Sequence, residues 1–206
     1  MLDINVTKAE FIDIFTTHVT REGSDKLLEY LTNSDFFTAP ASGKFHLAEK
    51  GGLCQHSINV YKRLLSIVQS EYGADTYRDV VSDESIAICG LLHDVCKVNY
   101  YTVDYRNAKD ENNVWVKKPY YSVDERFPYG HGEKSVFIVS QYMRLTAEEA
   151  MAINWHMGSF DARVKGGSYS LSDAYAKYKL ALLAHIADLE ATYLDEDRGF
   201  KGQKKD

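Results

Sequence analysis

The chain has 206 residues, of which 45% are hydrophobic and 26% are charged, a composition typical of a globular protein with a full-sized core. Its formal net charge is −6 and its basic cluster is a short C-terminal one, which excludes an extended surface that binds nucleic acid by charge alone. We expect a single domain over residues 1–197 and a mobile tail over 198–206.

The first residues have neither the basic segment nor the apolar core of a signal peptide. The sequence also lacks the run of roughly 18 apolar residues that a membrane helix needs. Cys54, Cys89 and Cys96 lie in apolar segments without CxxC spacing, which favours reduced, buried thiols. Metal ligation by Cys54 or Cys96 is the alternative. Together these features predict a cytoplasmic protein with no membrane partner.

Helices dominate the first third of the chain. A capping-box pattern beginning at Thr7 predicts the start of the first helix, and Ser24 is a candidate cap for a second that ends by Asn33. A connection with the glycine pair Gly51-Gly52 follows, where the chain either turns or leaves room for a ligand. The next helix carries His56 on its apolar stripe.

Another helix, capped by Ser82, ends in the sequence LLHDVCK. His93 and Asp94 are adjacent polar groups in this apolar segment, and burying them costs several kcal/mol unless they are paired. A divalent metal would satisfy both groups at once, and a hydrogen-bonded core pair is the alternative. Lys97 lies on the side of Asp94 one turn later, or is a solvated lysine near the end of the helix.

Residues 98–130 are rich in aromatic side chains. Two extended runs, VNYYTVDYR and NVWVKKPYY, flank the turn-forming segment KDENN and predict a β-hairpin. The hairpin is a lid, a wall that stacks against a base, or a structural flap that packs on the helices.

Three more helices are predicted after the hairpin. The first carries His131 in its first turn, and the second runs from a capping box at Thr146 to His156. The third spans about residues 172–194 and has Asp188 in the middle of an apolar run.

Several polar residues therefore lie in or beside apolar segments. They are His56, His93, Asp94, His131, His156 and Asp188. Singly, each is explained most simply as a hydrogen-bonded core residue. Jointly, four histidines and two aspartates from separate helices indicate a dinuclear metal cage, because facing helices can project ligands into a shared interior.

This order of residues resembles the H…HD…H…H…D pattern of the HD-domain metal-dependent phosphohydrolases. The segment GGLCQHS resembles the family's Gly-Gly-Leu-x-x-His-Ser/Thr, and LLHDVCK resembles its Leu-Leu-His-Asp-x-x-Lys. The resemblance covers about residues 36–194. It implies an all-α helical bundle, the HD-domain bundle, in which the 98–130 hairpin is an insertion.

Residue by residue, the resemblance also implies metal ligands. The ligands of a first metal match His56, His93, Asp94 and Asp188. Asp94 would bridge to a second metal, whose further ligands would be His131 and His156. We therefore expect two divalent ions, chosen from Mn, Fe, Ni, Co, Zn and Mg.

The implied chemistry is attack on phosphorus by metal-activated hydroxide. Asp94 would orient this nucleophile, and Lys97 would contact the phosphate and stabilise charge in the transition state. Glu133 and His185 are candidates to support the ligands or to carry protons. By their location, further candidates for substrate binding are Tyr129 and Trp155, together with Tyr100 and Arg163. His46 matches a histidine that precedes the glycine pair in some relatives, and its role stays open.

The resemblance thus implies a phosphohydrolase that cleaves a phosphomonoester or phosphodiester of a nucleotide-like or short oligonucleotide substrate. Family members that act on nucleic acid often carry an additional binding domain, for which 206 residues leave no room. We therefore expect a small phosphorylated substrate. The alternative is a metal-containing regulatory module that binds a nucleotide without turning it over.

Overall fold

The structure is a computed structural model that describes residues 2–196, and these residues are mostly helical. The helices are α1 (Ile4–His18), α2 (Ser24–Asn33), α3 (Gly52–Tyr72), α4 (Asp83–Leu92), α5 (His131–Ser140), α6 (Ala147–Trp155), α7 (Ala162–Lys165), α8 (Ser170–Lys177) and α9 (Lys179–Glu190). Between α4 and α5 lies a hairpin of β1 (Tyr101–Lys109) and β2 (Trp115–Val123). The predicted mobile tail, 198–206, lies outside the described residues.

Helix α3 is the centre of the helical packing. It contacts α1, α4 and α9, while α6 packs against α4, α5 and α9. All seven residues from Ile86 to Leu92 in α4 are buried, as expected of a helix that is apolar on every side. A Cβ on Gly90 would lie 2.5 Å from the Cα of Tyr61, so this glycine allows α3 and α4 to approach closely.

The helix starts differ in how well their capping signals predict them. The box at Thr146 is confirmed, since its hydroxyl accepts from the Glu149 N–H and the Glu149 carboxylate accepts from the Thr146 N–H. The predicted start at Thr7 is wrong. Helix α1 begins one turn earlier because the Asp3 carboxylate accepts from the first free N–H groups, and the Thr7 hydroxyl donates to the Asp3 carbonyl.

The two other predicted caps also have different outcomes. The Ser82 hydroxyl accepts from the Ser85 N–H, so Ser82 caps α4 as predicted. Ser24 is instead the first residue of α2, and the preceding Gly23 occupies the cap position with a φ of 88°. Glycine fits a left-handed cap because it lacks a Cβ.

The predicted single helix over 172–194 is divided in the structure. Tyr178 is extended, with φ −126° and ψ 94°, and it separates α8 from α9. The Glu148 carboxylate accepts from the Leu180 N–H at 3.3 Å and so caps the start of α9. A π-helical turn, Ala191–Asp195, follows α9. The apolar pattern continues through the break, which is why periodicity did not reveal it.

The predicted hairpin is confirmed, with strands that pair from Tyr101 opposite Val123 to Lys109 opposite Trp115. Most of its side chains are exposed. The base of the hairpin is tied by the Asp124 N–H, which donates to the Tyr100 carbonyl. The hairpin is therefore an antiparallel insertion in a helical chain.

The prediction of buried, free thiols is confirmed for Cys54, Cys89 and Cys96. None of the helices within 2–196 is long and apolar enough to cross a membrane.

Candidate metal centre

The six predicted ligands lie in or directly after five helices and form one cluster around the buried carboxylate of Asp94, which is itself one of the six. His56 lies in α3, His131 begins α5, His156 directly follows α6, and Asp188 lies in α9. The residues His93 and Asp94 directly follow α4, at the point where the helix ends. The carboxylate of Asp94 is at the centre of the group.

The end of α4 determines how the His93-Asp94 pair is presented. Asp94 leaves the helical conformation with φ −107° and ψ 16°, and a tight 3₁₀ turn, Val95–Lys97, follows. This turn brings the Lys97 ammonium back to the Asp94 Oδ2 at 2.5 Å. The Cys96 N–H donates to the Ser135 hydroxyl and so ties the turn to α5. Lys97 therefore lies beside Asp94, as the sequence spacing predicted.

The two oxygens of Asp94 face two different histidine pairs. Oδ1 lies 2.8 Å from His131 Nε2 and 3.5 Å from His156 Nε2. Oδ2 lies 3.5 Å from His56 Nε2 and 3.6 Å from His93 Nε2. Burial opposes ionisation of Asp94, but Lys97 and the histidines outweigh it and hold the pKa of this carboxyl well below its ordinary value. Asp94 is therefore an anion between two imidazole pairs.

Backbone carbonyls fix the tautomers of His93 and His156. Nδ1 of His93 lies 2.8 Å from the Gly90 carbonyl, and Nδ1 of His156 lies 2.7 Å from the Ile153 carbonyl. A carbonyl only accepts, so each Nδ1 carries a proton, and the neutral form of each ring presents its lone pair at Nε2. Burial lowers the pKa of His93 to about 3, which keeps this ring neutral. The buried His156 Nε2 has no hydrogen-bond partner within the described part of the chain.

His56 is held from both sides. Its Nδ1 lies 3.0 and 3.1 Å from the two oxygens of Glu196, and its Nε2 lies 3.2 Å from Asp188 Oδ1 and 3.1 Å from His93 Nε2. Burial opposes the charged ring, but hydrogen bonds to Asp188 and Glu196 raise the pKa of His56 to about 10. A proton on Nε2 therefore joins the His93 lone pair and the Asp188 carboxylate. A metal ion at this point would meet the same nitrogen and oxygen atoms.

Sequence reasoning missed Glu196. This buried residue also accepts from the Asn59 amide at 2.9 Å. It lies eight residues after Asp188, and the π-helical turn between them returns it to the side of the site. The acidic run LDED contains the signal, but such a run at a helix end usually faces solvent.

The donor atoms form compact groups that can hold a metal. Within each group, all ligand atoms lie within 4.8 Å of one another. The groups are His56–His93–Asp188, His93–Asp94–His156, Asp94–Cys96–His131 and His46–His56–Glu196. Imidazole nitrogens and carboxylate oxygens suit Zn, Mn, Fe, Co and Ni, so the donor set fits divalent metals.

The two cysteines considered as ligands lie in different places. Cys96 Sγ lies 3.5 Å from His131 Nδ1, within the site. Cys54 Sγ instead points to the Thr7 carbonyl at 3.7 Å, and burial raises the pKa of this thiol to about 12. Cys54 therefore remains a protonated core residue away from the cluster.

A cavity of about 870 Å³ reaches the cluster. Its lining includes Asp94, Lys97, His131, His185 and Asp188. The strip of residues 45–49 forms one wall.

Gly51 and Gly52 hold this strip against the start of α3. Gly51 has a φ of 84°, and a Cβ on Gly52 would lie 2.1 Å from the Leu47 carbonyl oxygen. The glycine pair therefore forms a turn. The close approach that it allows is to the backbone of Leu47, a part of the same chain.

His46 belongs to that strip. Its ring centroid lies 4.9 Å from that of His56, and burial lowers the pKa of His46 to about 4. Its buried Nε2 has no hydrogen-bond partner among residues 2–196. His46 thus places a neutral imidazole that could bind a metal beside His56.

The remaining candidates for supporting the ligands or carrying protons are His185 and Glu133. His185 lines the cavity, and its Nδ1 lies 2.6 Å from the His156 carbonyl. Glu133 pairs with Arg163 at 2.7 Å, and the Arg163 guanidinium covers the Trp155 ring at 3.9 Å. Roles for Glu133 and His185 in supporting the ligands or carrying protons stay predictions.

Two predicted substrate-binding residues are not among the described residues that line the cavity. Trp155 is buried beneath Arg163, and Tyr129 stacks on Phe127 with ring centroids 5.2 Å apart. Tyr100 lies under the Lys134 ammonium, 5.2 Å from its ring centroid. Substrate contacts by these aromatic residues stay predictions.

Comparisons of the chain with family models, curated proteins and solved structures found no match.

Proposed function

We propose that this chain is a divalent-metal-dependent phosphohydrolase with an HD-domain helical bundle. The observation that carries the proposal is the arrangement around Asp94, whose two oxygens face the His131–His156 and His56–His93 pairs. Buried imidazole nitrogens and carboxylate oxygens that meet in one place suit a divalent cation, which would take the position of the proton that joins His56 to His93 and Asp188.

The ligand assignment is the one that the resemblance to the HD-domain phosphohydrolases implies. His56, His93, Asp94 and Asp188 would hold one divalent ion, and Asp94, His131 and His156 would hold the other. Divalent ions bound there would lower the pKa of water and offset the charge of the phosphoryl oxygens.

Lys97 is the residue of this chain suited to contact the phosphate. It is largely buried but lines the cavity, and its ammonium pairs with Asp94. Burial opposes its charge, but the Asp94 carboxylate outweighs burial and raises the pKa of Lys97 above its ordinary value. A positive charge that is largely shielded from solvent can stabilise a phosphoryl group in the transition state.

The reaction is hydrolysis of a phosphate ester. The oxygen of water bonds to phosphorus, the bond from phosphorus to the leaving alcohol breaks, and a proton from the water ends on that alcohol. His185 donates its Nδ1 proton to the His156 carbonyl, so its Nε2 remains available to accept and pass on a proton.

The cavity volume fits a small substrate. At about 870 Å³ it falls in the range of small-molecule sites, roughly 300–1,000 Å³. We therefore propose a nucleotide-like monoester or diester, or a short oligonucleotide, as the substrate class.

The test is hydrolysis of 4-nitrophenyl phosphate, bis(4-nitrophenyl) phosphate and methyl 4-nitrophenyl phosphate by protein loaded with Mn, Fe, Co, Ni, Zn or Mg. We expect metal-dependent turnover that falls at least about 1,000-fold in Asp94→Asn. Asp104→Asn, on the exposed hairpin, is the matched control and should retain full activity.

Two other results would separate the alternatives. Metal binding without turnover of any ester would contradict the phosphohydrolase and favour a nucleotide-binding regulatory module. Equal turnover by wild type and Asp94→Asn would show that the activity comes from elsewhere.

A further inference from the structure

The mouth of the metal-site cavity is lined by exposed aromatic rings. Phe45, Phe160 and Tyr193 all line it, and these residues are 81%, 51% and 58% exposed. Large apolar side chains grouped at the entrance of a cavity commonly mark a ligand-binding surface. The three rings come from three separate segments, so no single stretch of sequence indicates that they line the same cavity.

Ordered turns hold two of these rings despite their exposure. The Phe45 N–H donates to the Ser42 hydroxyl at 2.8 Å, and that hydroxyl donates to the His46 carbonyl at 2.7 Å. The Phe160 N–H donates to the Met157 carbonyl in a 3₁₀ turn. Such turns lower the entropic cost of presenting the rings to a ligand.

The charge of the cavity limits how many phosphates a ligand can carry. Among the described residues, the lining contains the carboxylates of Glu49, Asp94, Asp188 and Glu196 but a single lysine, Lys97. In the metal-bound state, with the histidines neutral, the lining side chains have a formal charge of −3, and two divalent ions would change it to +1. This charge matches a single phosphoryl group, whereas a triphosphate would place further negative charge beside the carboxylates.

We infer that the site takes esters of one phosphoryl group whose other part is a flat aromatic ring system such as a nucleobase, held by Phe45, Phe160 and Tyr193. Triphosphates are poor substrates. This inference rests on the proposed phosphohydrolase for the position of the phosphate, while the aromatic mouth is an independent observation.

The test compares two diesters with the same leaving group, thymidine 5′-(4-nitrophenyl phosphate) and methyl 4-nitrophenyl phosphate, on metal-loaded protein. We expect kcat/KM to be higher for the thymidine ester. In Phe45→Ala and Tyr193→Ala the ratio of the two kcat/KM values should fall about tenfold, mainly through KM, as expected for loss of a stacking ring. Tyr169→Ala is the control, since Tyr169 is 85% exposed and is not among the described lining residues.

A second measurement keeps the inference testable without turnover. Calorimetric titration with thymidine 5′-monophosphate should show about tenfold weaker binding in Phe45→Ala than in Tyr169→Ala. An unchanged ratio of rates with unchanged binding would overturn the inference while leaving the phosphohydrolase intact. Absence of turnover with ring-dependent binding would overturn the phosphohydrolase alone. Equal kcat/KM for thymidine triphosphate and monophosphate would overturn the single-phosphate limit.

Discussion

The ends of two helices determine which ring nitrogen of His93 and His156 is left to bind a metal. His93 and His156 each directly follow a helix, and each donates Nδ1–H to a carbonyl three residues earlier, of Gly90 and Ile153. The last carbonyls of a helix lack helical partners, so these acceptors are available there. Two helix ends therefore turn the Nε2 lone pairs toward Asp94.

Glu196 plays a comparable part for His56, and its removal tests this role. In Glu196→Gln the His56 ring loses a charged acceptor at Nδ1, so we expect the affinity for the first metal to fall roughly 10–100-fold. Competition with a chromophoric chelator measures this affinity. Glu190→Gln is the control, because Glu190 pairs with Arg63 away from the cluster. Equal affinities in both variants would show that Glu196 does not position His56.

The residues of the site were predictable to different degrees. His56 and Asp188 stood out because polar groups inside apolar helices are costly, and His93-Asp94 stood out in the same way. Glu196 did not, because it follows a π-helical turn that periodicity does not reveal. The aromatic ring of Phe45 at the cavity mouth also escaped notice, because its place depends on how the chain folds around Gly51 and Gly52.

At the level of elements, one ion-pair cluster joins three helices. Arg21, just after α1, pairs with Glu84 of α4 at 3.0 Å and with Glu149 of α6 at 2.8 Å. Glu149 is fully buried and also accepts from the Ser85 hydroxyl. Burial opposes its charge, but Arg21 and the Thr146 N–H outweigh burial and keep the pKa of Glu149 below its ordinary value.

This cluster predicts a specific acid sensitivity. Because the pKa of Glu149 is lower in the folded than in the unfolded chain, its stabilising effect is complete above the unfolded value, about 4.3, and is lost as the pH falls through the folded value. Urea unfolding from pH 7 to pH 3 should show this loss. Glu149→Gln should be less stable at pH 7 and less sensitive to acid, whereas Glu111→Gln in the exposed hairpin turn should behave like wild type. A wild-type acid response in Glu149→Gln would contradict this account.

The helix starts show which boundaries a sequence pattern can predict. Local caps were predicted correctly at Ser82 and Thr146 but not at Thr7 and Ser24, where Asp3 and Gly23 occupy the cap positions. The start of α9 depends on Glu148, which is 32 residues away from the N–H that it accepts from. Such a long-range cap gives no local signal.

For the whole molecule, the predicted mainly helical architecture with one hairpin is confirmed by the structure, while the HD-domain bundle stays a proposal. The apolar periodicity of the helices and the two aromatic-rich extended runs around the turn segment KDENN were sufficient for this. The packing that unites distant histidines depends on close contacts, such as the one at Gly90, that a single sequence does not specify.

The hairpin itself is predicted to be dispensable for metal binding. The strand residues are mostly exposed and are not among the described residues that line the cavity. A variant in which a short Gly-Asn turn replaces residues 104–120 keeps the cross-strand pair of Val103 and Tyr121. Its metal content and its kcat/KM for methyl 4-nitrophenyl phosphate should stay within about twofold of the wild-type values. A large rise in KM would instead identify the hairpin as a lid.

The most direct test of the central claim is the metal content of protein purified without chelator, measured by inductively coupled plasma mass spectrometry after equilibration with each divalent metal. The account predicts about two equivalents per chain for wild type and about one for the double variant His131→Ala/His156→Ala, with the fold preserved by circular dichroism. Wild-type protein that binds no divalent metal under these conditions would contradict the metal centre and the phosphohydrolase proposed from it.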